Sequence, residues 1–403
     1  MSEMNARSYI RQNGMLISML VIFGVMAVIT RFWTGGWTFV SPENLSNLSQ
    51  QVTQTGILAI GMTMVILIGG IDLSVGSVLA VSAIILAQSS EWFLSAGPVA
   101  PYLAILCCLV AGIALGAWNG AMISRFNLLP FVVTLATLTM ARGIAYLISG
   151  SQSIRVKADI FKYIGVYSVD RFYYEVTGSP LAAGDQYFPV ISIVLLAVVF
   201  AVWLVIQLRA AKRNAEQGYT PEHSGGLGMR ISAVAAGCAV IGAIFASHHG
   251  IPVMVLIFAV LAYIASFVLN HTVFGRHLYA VGGNREAARL SGVDVQRCTF
   301  YVFVIMGFLC AVSGIVSTSR AQSATPATQG VLAELEAIAA VVVGGTSLMG
   351  GVGAIGGTVI GVLIIGVVVN AMILMALPNT VQLIFKGLLI MIAVILDIKT
   401  KQK

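Results

Sequence analysis

The sequence predicts an all-α integral membrane protein, a polytopic helical bundle of about twelve hydrophobic segments. Of the 403 residues, 58% are hydrophobic and only 9% are charged, whereas a soluble domain carries about 25% charged residues. So few charges cannot cover a surface that faces water. The 42 glycines fit the same class, because helices in lipid pack closely where side chains are small.

Apolar runs occur along the whole chain and set the number of expected membrane segments. About 20 helical residues, each rising about 1.5 Å, cross the hydrocarbon core. The runs are 15–33, 51–69, 73–87, 102–123, 130–148, 188–208, 231–247, 251–270, 299–319, 333–344, 354–376 and 381–396. Two of them are short enough to be broken or re-entrant. No small-residue cleavage site follows the first run, so we expect an uncleaved first helix.

The distribution of Lys and Arg predicts the orientation, because positive residues concentrate in cytoplasmic loops. With the N-terminus inside, an even number of crossings returns the C-terminus inside, and most of the 22 basic residues then fall in cytoplasmic segments. We therefore expect both termini on the cytoplasmic side of the membrane. The net charge of +7 reflects this orientation rather than nucleic-acid binding.

The sequence contains no pattern that predicts catalysis, a metal site or a cofactor on this chain. No Gly-Lys-Ser or Gly-Lys-Thr occurs, and that tripeptide is the core of the phosphate-binding loop of an ATPase. If ATP drives this protein, another subunit must bind it. His248 and His249 have no further ligand at metal-binding spacing. The five cysteines show no ligand spacing either, so we expect them to be small core residues.

Glycine-rich segments interrupt two of the apolar runs in similar ways. Residues 68–76 resemble residues 343–351, and each stretch lies between two apolar runs. Such paired interruptions are typical of discontinuous helices that line a pathway, although chance resemblance is the alternative in a chain this rich in glycine. Gly353, Gly357 and Gly361 recur every four residues, which predicts close packing of two helices.

Four ionisable residues lie within or beside apolar runs: Asp72, Arg142, Glu336 and Lys386. A charge at the centre of a membrane helix costs about 2.5 to 3.5 kcal/mol on insertion scales, so these side chains should face protein or water and find partners. Their opposite signs predict pairing. Two interpretations stay open, namely that they line or gate a translocation route, or that they lock helices together.

The stretch 274–294 is polar and lies on the predicted cytoplasmic side. We predict a Gly-Gly-Asn turn at 282–284, followed by a short helix at 285–290 that Gly292 ends. A rigid amphipathic helix on the membrane surface would give a soluble ATPase subunit a defined surface to bind. The alternative is an ordinary charged linker.

This stretch resembles the coupling loop of ABC permeases of the ribose and xylose type. Three further stretches, at 70–77, 115–120 and 334–348, are also similar to motifs of that family and occur in the expected order. The resemblance implies a channel built from two homologous or identical permease copies. Such a channel receives a monosaccharide from a periplasmic binding protein and is driven by a cytoplasmic ABC ATPase that binds ATP and Mg.

The resemblance also implies which residues contact the ATPase. Carried over by motif, they are Gly282, Gly283, Asn284, Glu286, Ala287, Arg289 and Gly292. The family usually has Asp where this chain has Glu336. The family core has ten helices. This chain has an extra pair of spans in 188–248, around the basic segment 209–230, and such an insertion resembles that of the xylose-type permeases. We therefore expect D-xylose or another pentose as the substrate.

The remaining candidates are polar residues in or at the ends of spans, which need a reason to be there. The expected residues of the pathway or its gates are Asp72, Ser74, Asn119, Thr134, Arg142, Glu336, Asn370 and Lys386. Arg320, at the outer end of a span, could dock the binding protein or anchor to lipid headgroups. Two rival functions stay open: an ion-coupled secondary transporter, and an ABC permease for another small polar solute such as ribose or an amino acid.

Overall fold

The computed structural model describes residues 6–177, 188–216, 224–378, 380–388, 391 and 395. The helices are α1 (Ala6–Thr34), α2 (Pro42–Leu67), α3 (Val75–Trp92), α4 (Ala100–Phe126), α5 (Pro130–Ser149), α6 (Asp159–Gly165), α7 (Val169–Thr177), α8 (Val190–Glu216), α9 (Ser224–Ala246), α10 (Val253–His271), α11 (Val273–Gly283), α12 (Arg285–Leu290), α13 (Val295–Ala321), α14 (Ala333–Val343) and α15 (Ile355–Leu374). Residues 380–388 are also helical.

Two short strands, β1 (Ile154–Arg155) and β2 (Ser323–Ala324), form an antiparallel pair. Short 3-10 turns occupy Thr38–Val40 and Leu94–Val99. Apart from these elements, the described chain consists of helices and their links, so the predicted all-α fold is confirmed.

Nine helices in the described part of the chain are long and apolar enough to cross a membrane. The apolar part of α9 is shorter, at Val234–Ala246. Helix α14 has only 11 residues, about 16 Å, against a hydrocarbon core of about 30 Å. This is the broken segment expected at 333–344. The other short run, at 73–87, continues to Trp92 and becomes long enough to span.

An asparagine and a proline define the helix boundaries at the turn between α4 and α5. Asn127 caps α4 in the left-handed conformation, with φ 51°, which Asn tolerates better than most residues. Pro130 then opens α5, where its missing N–H costs nothing.

The described chain divides into two compact units. The larger comprises the residues up to 40, 48–166 and those from 254 onward, and the smaller comprises 41–47 and 167–253. In the larger unit α13 packs along α4 through glycines. A Cβ at Gly116 would lie 2.9 Å from the Cα of Gly307, and a Cβ at Gly120 would lie 2.8 Å from the carbonyl oxygen of Phe300. The small residues thus allow the close helix contact expected in lipid.

The glycine series before and within α15 has two different roles. Gly357 packs against the Gly344 carbonyl, and a Cβ at Gly361 would lie 2.7 Å from the Gly344 nitrogen, so the predicted close packing of two helices is confirmed there. Gly353 does not take part, because it lies in the link before α15, where a Cβ would lie 2.6 Å from the Thr346 side chain. Among the cysteines, Cys108, Cys298 and Cys310 are buried, as expected for core residues, whereas Cys107 and Cys238 are half-buried.

The smaller unit contains the predicted extra helix pair, α8 and α9. Both helices extend into the basic segment 209–230 that was expected to be their loop, because Ala, Lys and Arg are good helix formers. Asp170 is fully buried and accepts a hydrogen bond of 2.7 Å from the Ile191 N–H. Its other oxygen accepts from the Ser192 hydroxyl. The carboxylate thereby caps the first turn of α8.

Candidate functional site

A chain of buried hydrogen bonds starts at Asp72, in the link between α2 and α3. The Asp72 Oδ1 accepts from the Ser74 N–H at 2.8 Å and from the Ser74 hydroxyl at 2.6 Å. Asn119 on α4 donates to the Ser74 hydroxyl at 2.9 Å. Its own amide oxygen accepts from Thr137 on α5 at 2.6 Å. Each of these four side chains is buried, so the chain joins three helices through satisfied polar groups.

Thr134 completes this arrangement one helical turn before Thr137. Its hydroxyl accepts from the Leu73 N–H at 3.1 Å and donates to the Pro130 carbonyl at 2.9 Å. The structure therefore brings together four of the predicted residues, Asp72, Ser74, Asn119 and Thr134. This geometry favours the interpretation that these polar groups lock helices together. The sequence analysis missed Thr137, which lies on the same face of α5 as Thr134.

Glu336 and Lys386 form an ion pair inside the larger unit, with 2.5 Å between Oε1 and Nζ. The second carboxylate oxygen of Glu336 accepts from Thr55 on α2 at 3.0 Å. Both charged side chains are about three-quarters covered, with exposed fractions of 25% and 23%. The predicted pairing of opposite charges is confirmed here, and it connects the short α14 with α2 and with the helix at 380–388.

The predicted pairing does not extend to Arg142. Its guanidinium donates instead to the backbone carbonyls of Pro326 at 2.9 Å and Gln329 at 2.7 Å. Three nearby carbonyls in the link before α14 satisfy the cation without a carboxylate bond. The same link ends at Leu332, whose φ of 58° is uncommon for a bulky residue. Arg142 thus holds a strained backbone segment at the start of α14.

Glu334 is a second carboxylate of α14 that the sequence analysis did not single out. A Cβ at Gly76 would lie 2.6 Å from the Glu334 Oε2, so this carboxylate contacts the first turn of α3. Two residues apart on a helix, Glu334 and Glu336 face different directions. The sequence did contain a signal for Glu334, because Glu334 and Glu336 both lie in the motif at 334–348. Asn370, another predicted residue, is buried on α15.

The two resembling glycine stretches end their helices with the same cap. Helix α2 is followed by Gly69 with φ 75° and α14 by Gly345 with φ 82°. In each case the following N–H reaches back five residues, from Gly70 to Val65 and from Thr346 to Val341, which is the Schellman pattern. The predicted similarity is therefore present in the backbone, although displaced by one residue from the sequence match.

The coupling segment at 274–294 contains two short helices, α11 and α12. The predicted Gly-Gly-Asn turn is wrong, because Gly282 and Gly283 are the last residues of α11. Gly282 is required for close packing. A Cβ there would collide with the Leu67 carbonyl and lie 2.5 Å from the Gly351 nitrogen. We call the contact among Leu67, Gly282, Gly350 and Gly351 the glycine junction.

The predicted short helix and its end at Gly292 are confirmed. Asn284 caps α12 by accepting from the Ala287 N–H at 2.9 Å, and Gly292 follows the helix with φ 86°. Glu286 and Arg289 form an exposed ion pair with 2.6 Å between their charged atoms. The hydrogen bond and charge of Arg289 lower the pKa of Glu286 below its ordinary value, so both groups are charged near neutral pH.

Tyr279 provides a second contact between the coupling segment and the bundle. Its hydroxyl donates to the Gly353 carbonyl at 2.8 Å, in the link between α14 and α15. Together with the glycine junction, this bond attaches α11 to the end of α2 and to the link between α14 and α15. Arg320 lies at the opposite end of the 27-residue helix α13, about 40 Å from its start.

Comparison with known proteins decides the family. A family model described as the permease component of branched-chain amino acid transport systems matches residues 44–209 and 188–394. The chain belongs to this permease family. The predicted membrane location is thereby confirmed, and alignments with xylose and ribose permeases confirm the predicted similarity to that type.

Named relatives align along nearly the whole permease. The xylose transport system permease protein of Escherichia coli (strain K12) is 36% identical over 387 residues, covering 95% of this chain and 92% of the relative. That of Haemophilus influenzae is 33% identical over 413 residues, covering 100% and 99%. The ribose import permease protein of Bacillus subtilis is 36% identical over 363 residues, covering 90% and 87%. No solved structure matches the chain.

Proposed function

We propose that this permease is the membrane subunit of a binding-protein-dependent importer that carries a monosaccharide, D-xylose or another pentose. The alignment with xylose permeases over nearly the full length carries this proposal. The extra helix pair α8 and α9, expected for the xylose type, supports it. Ribose is the nearest alternative, because ribose permeases align at similar identity.

A cytoplasmic ABC ATPase, which binds ATP and Mg, drives transport in this proposal. Two copies of the permease form the channel in the bacterial inner membrane, with both termini in the cytoplasm. The motor contacts α12 and the end of α11, at the residues predicted from the coupling motif. The exposed ion pair of α12 and the 77% exposed side chain of Leu290 support this assignment.

Movement of α12 reaches the bundle through α11. The glycine junction and the Tyr279 hydroxyl attach α11 to the end of α2 and to the link that follows α14. Helix α14 carries Glu334 and Glu336 at its other end, so a displacement at the junction is transmitted to the intramembrane charges. The pair of Glu336 and Lys386 and the cradle around Arg142 are the proposed gating contacts, because both hold α14 to its neighbours.

A binding protein delivers the sugar at the end of the permease remote from α12. The exposed Arg320 lies at that end of α13, which supports its predicted role in docking. Asn370 remains a predicted pathway residue on α15.

Uptake of labelled solutes into proteoliposomes tests this function. The permease would be reconstituted with an ABC ATPase and a sugar-binding protein from the same organism. We expect uptake of D-xylose that requires internal ATP and the binding protein and that is insensitive to proton and sodium ionophores. Uptake driven by an ion gradient without ATP would indicate a secondary transporter, and preferential uptake of ribose or leucine would overturn the substrate assignment.

A further inference from the structure

A polar cavity of about 360 Å³ lies in the larger unit, between α2 and the end of α13. Its lining residues are Gln50, Gln54, Met254, Ser317, Arg320 and Ala321. The volume falls within the range of about 300 to 1,000 Å³ that is typical of small-molecule sites. We propose that this polar cavity binds the hydroxyl groups of the transported sugar before it passes the intramembrane charges. The inference rests on the proposed function and adds a substrate site to it.

Three of the polar side chains that line the cavity, those of Gln50, Gln54 and Arg320, make no hydrogen bond or ion pair with described residues. Gln50 and Gln54 are one helical turn apart on α2 and share a face, and both are half-buried. Among the residues that the structure describes, the side-chain amides of Gln50 and Gln54 have no hydrogen-bond partner. The Arg320 guanidinium has neither a hydrogen-bond nor an ion-pair partner there. Half-buried polar groups in a membrane protein are costly unless a ligand or water satisfies them.

The chemistry of these groups fits a polyhydroxylated ligand. Each glutamine amide offers two donors and an acceptor, and the guanidinium offers donors in a fixed plane. A sugar hydroxyl both donates and accepts, so it can use either kind of group. The other large cavity described, of about 440 Å³ between α8 and α9, is lined by residues such as Leu196, Phe200 and Ala239, and its apolar surface does not suit a sugar.

The position of the polar cavity is that of a receiving site. Helix α13 starts beside the coupling segment and carries Ser317 and Arg320 near its other end. Gln54 lies about 20 Å along α2 from Leu67, which belongs to the glycine junction. The cavity is therefore remote from the proposed motor contact, on the side where a solute from outside would arrive.

The cavity is also connected to both sets of intramembrane charges. Gln54 precedes Thr55, whose hydroxyl donates to Glu336 at 3.0 Å. Ser317 donates to the Gln329 side chain at 2.6 Å, and the Gln329 carbonyl accepts from Arg142 at 2.7 Å. A ligand in the cavity thus contacts the direct neighbours of the Glu336 pair and of the Arg142 cradle, the proposed gates.

Saturation-transfer NMR with D-xylose tests the cavity on the complete permease–ATPase complex in nanodiscs, without the binding protein. We expect a transfer signal for the natural complex and a loss of at least about five-fold in Gln54→Leu and in Gln50→Leu, the effect of removing one hydrogen bond. The matched control is Gln51→Leu, since Gln51 is a half-buried glutamine of α2 that does not line the cavity.

Xylose uptake by the same variants distinguishes a failure of the cavity proposal from a failure of the proposed function. We expect Gln54→Leu to transport about five-fold less xylose per ATP hydrolysed than Gln51→Leu. If the natural complex takes up xylose while Gln54→Leu and Gln50→Leu match the control in both signal and uptake, the cavity proposal is overturned alone. If the natural complex takes up no pentose, the proposed function itself fails.

Discussion

The ion pair of Glu336 and Lys386 illustrates how this permease neutralises charge inside the membrane. The two groups lie 2.5 Å apart, and Thr55 satisfies the remaining carboxylate oxygen. A partly covered pair of this kind contributes little net stability, but removing one member leaves the other charge without compensation.

Lys386→Met should therefore destabilise the permease by about 2 kcal/mol. The double variant of Glu336→Gln and Lys386→Met should recover most of that loss, because no unpaired charge remains. The measurement is the thermal unfolding midpoint of the purified protein in detergent. A double variant at least as unstable as Lys386→Met would show that the pair does not compensate charge.

Sequence reasoning identified the charged residues but only part of their contacts. A charge within an apolar run needs a partner, so Asp72, Glu336 and Lys386 could be singled out and one pairing anticipated. The cradle of Arg142 could not be predicted, because it consists of backbone carbonyls brought near by the link before α14. Glu334 went unnoticed because its contact with the first turn of α3 is purely tertiary.

At the level of helices, the glycine junction determines how α11 meets the end of α2 and the link after α14. Gly282 has no room for a side chain, since a Cβ would collide with the Leu67 carbonyl, whereas a Cβ at Gly283 meets nothing within 4 Å. Two neighbouring glycines of one helix end therefore have opposite tolerance to substitution.

Gly282→Ala should displace α11 from α2 and reduce binding-protein-stimulated ATPase activity by about ten-fold or more, because the backbone contact of the junction has to open. Gly283→Ala is the matched comparison, because it leaves the glycine junction closed; it should lose less activity than Gly282→Ala, with helix propensity slightly in its favour by up to about 1 kcal/mol. ATPase assays on both reconstituted complexes decide the point. Equal activity of the two variants would mean that the junction does not transmit movement.

The helices themselves were largely predictable, since an apolar run of membrane length has few alternatives to a helix. The error at 282–284 has a physical cause. A Gly-Gly pair is compatible with a turn and also with a close helix contact, and only the position of α2 decides between them. Likewise, the series of Gly353, Gly357 and Gly361 indicated close packing correctly, but the start of α15 excluded Gly353.

For the whole molecule, the proposed mechanism connects the motor contact at α12 with the intramembrane charges through α11. Helix α12 is exposed apart from Ala288, α11 attaches to α2 and to the link after α14, and α14 carries two carboxylates in its first turn. Composition and apolar runs predicted the membrane fold, and the motifs predicted the family. The substrate could not be predicted in the same way, because a few hydrogen-bonding groups in a pathway do not specify one sugar.

The central claim is that ATP-driven movement enters this permease through α12. The most direct test is ATP-driven D-xylose uptake by reconstituted Leu290→Asp, compared with the natural chain. Leu290 is 77% exposed, so the change should leave the unfolding midpoint unaltered. We predict at least about a ten-fold loss of uptake, because a charge replaces an apolar contact with the motor and each 1.4 kcal/mol corresponds to a factor of ten. Uptake at the natural level would contradict the account.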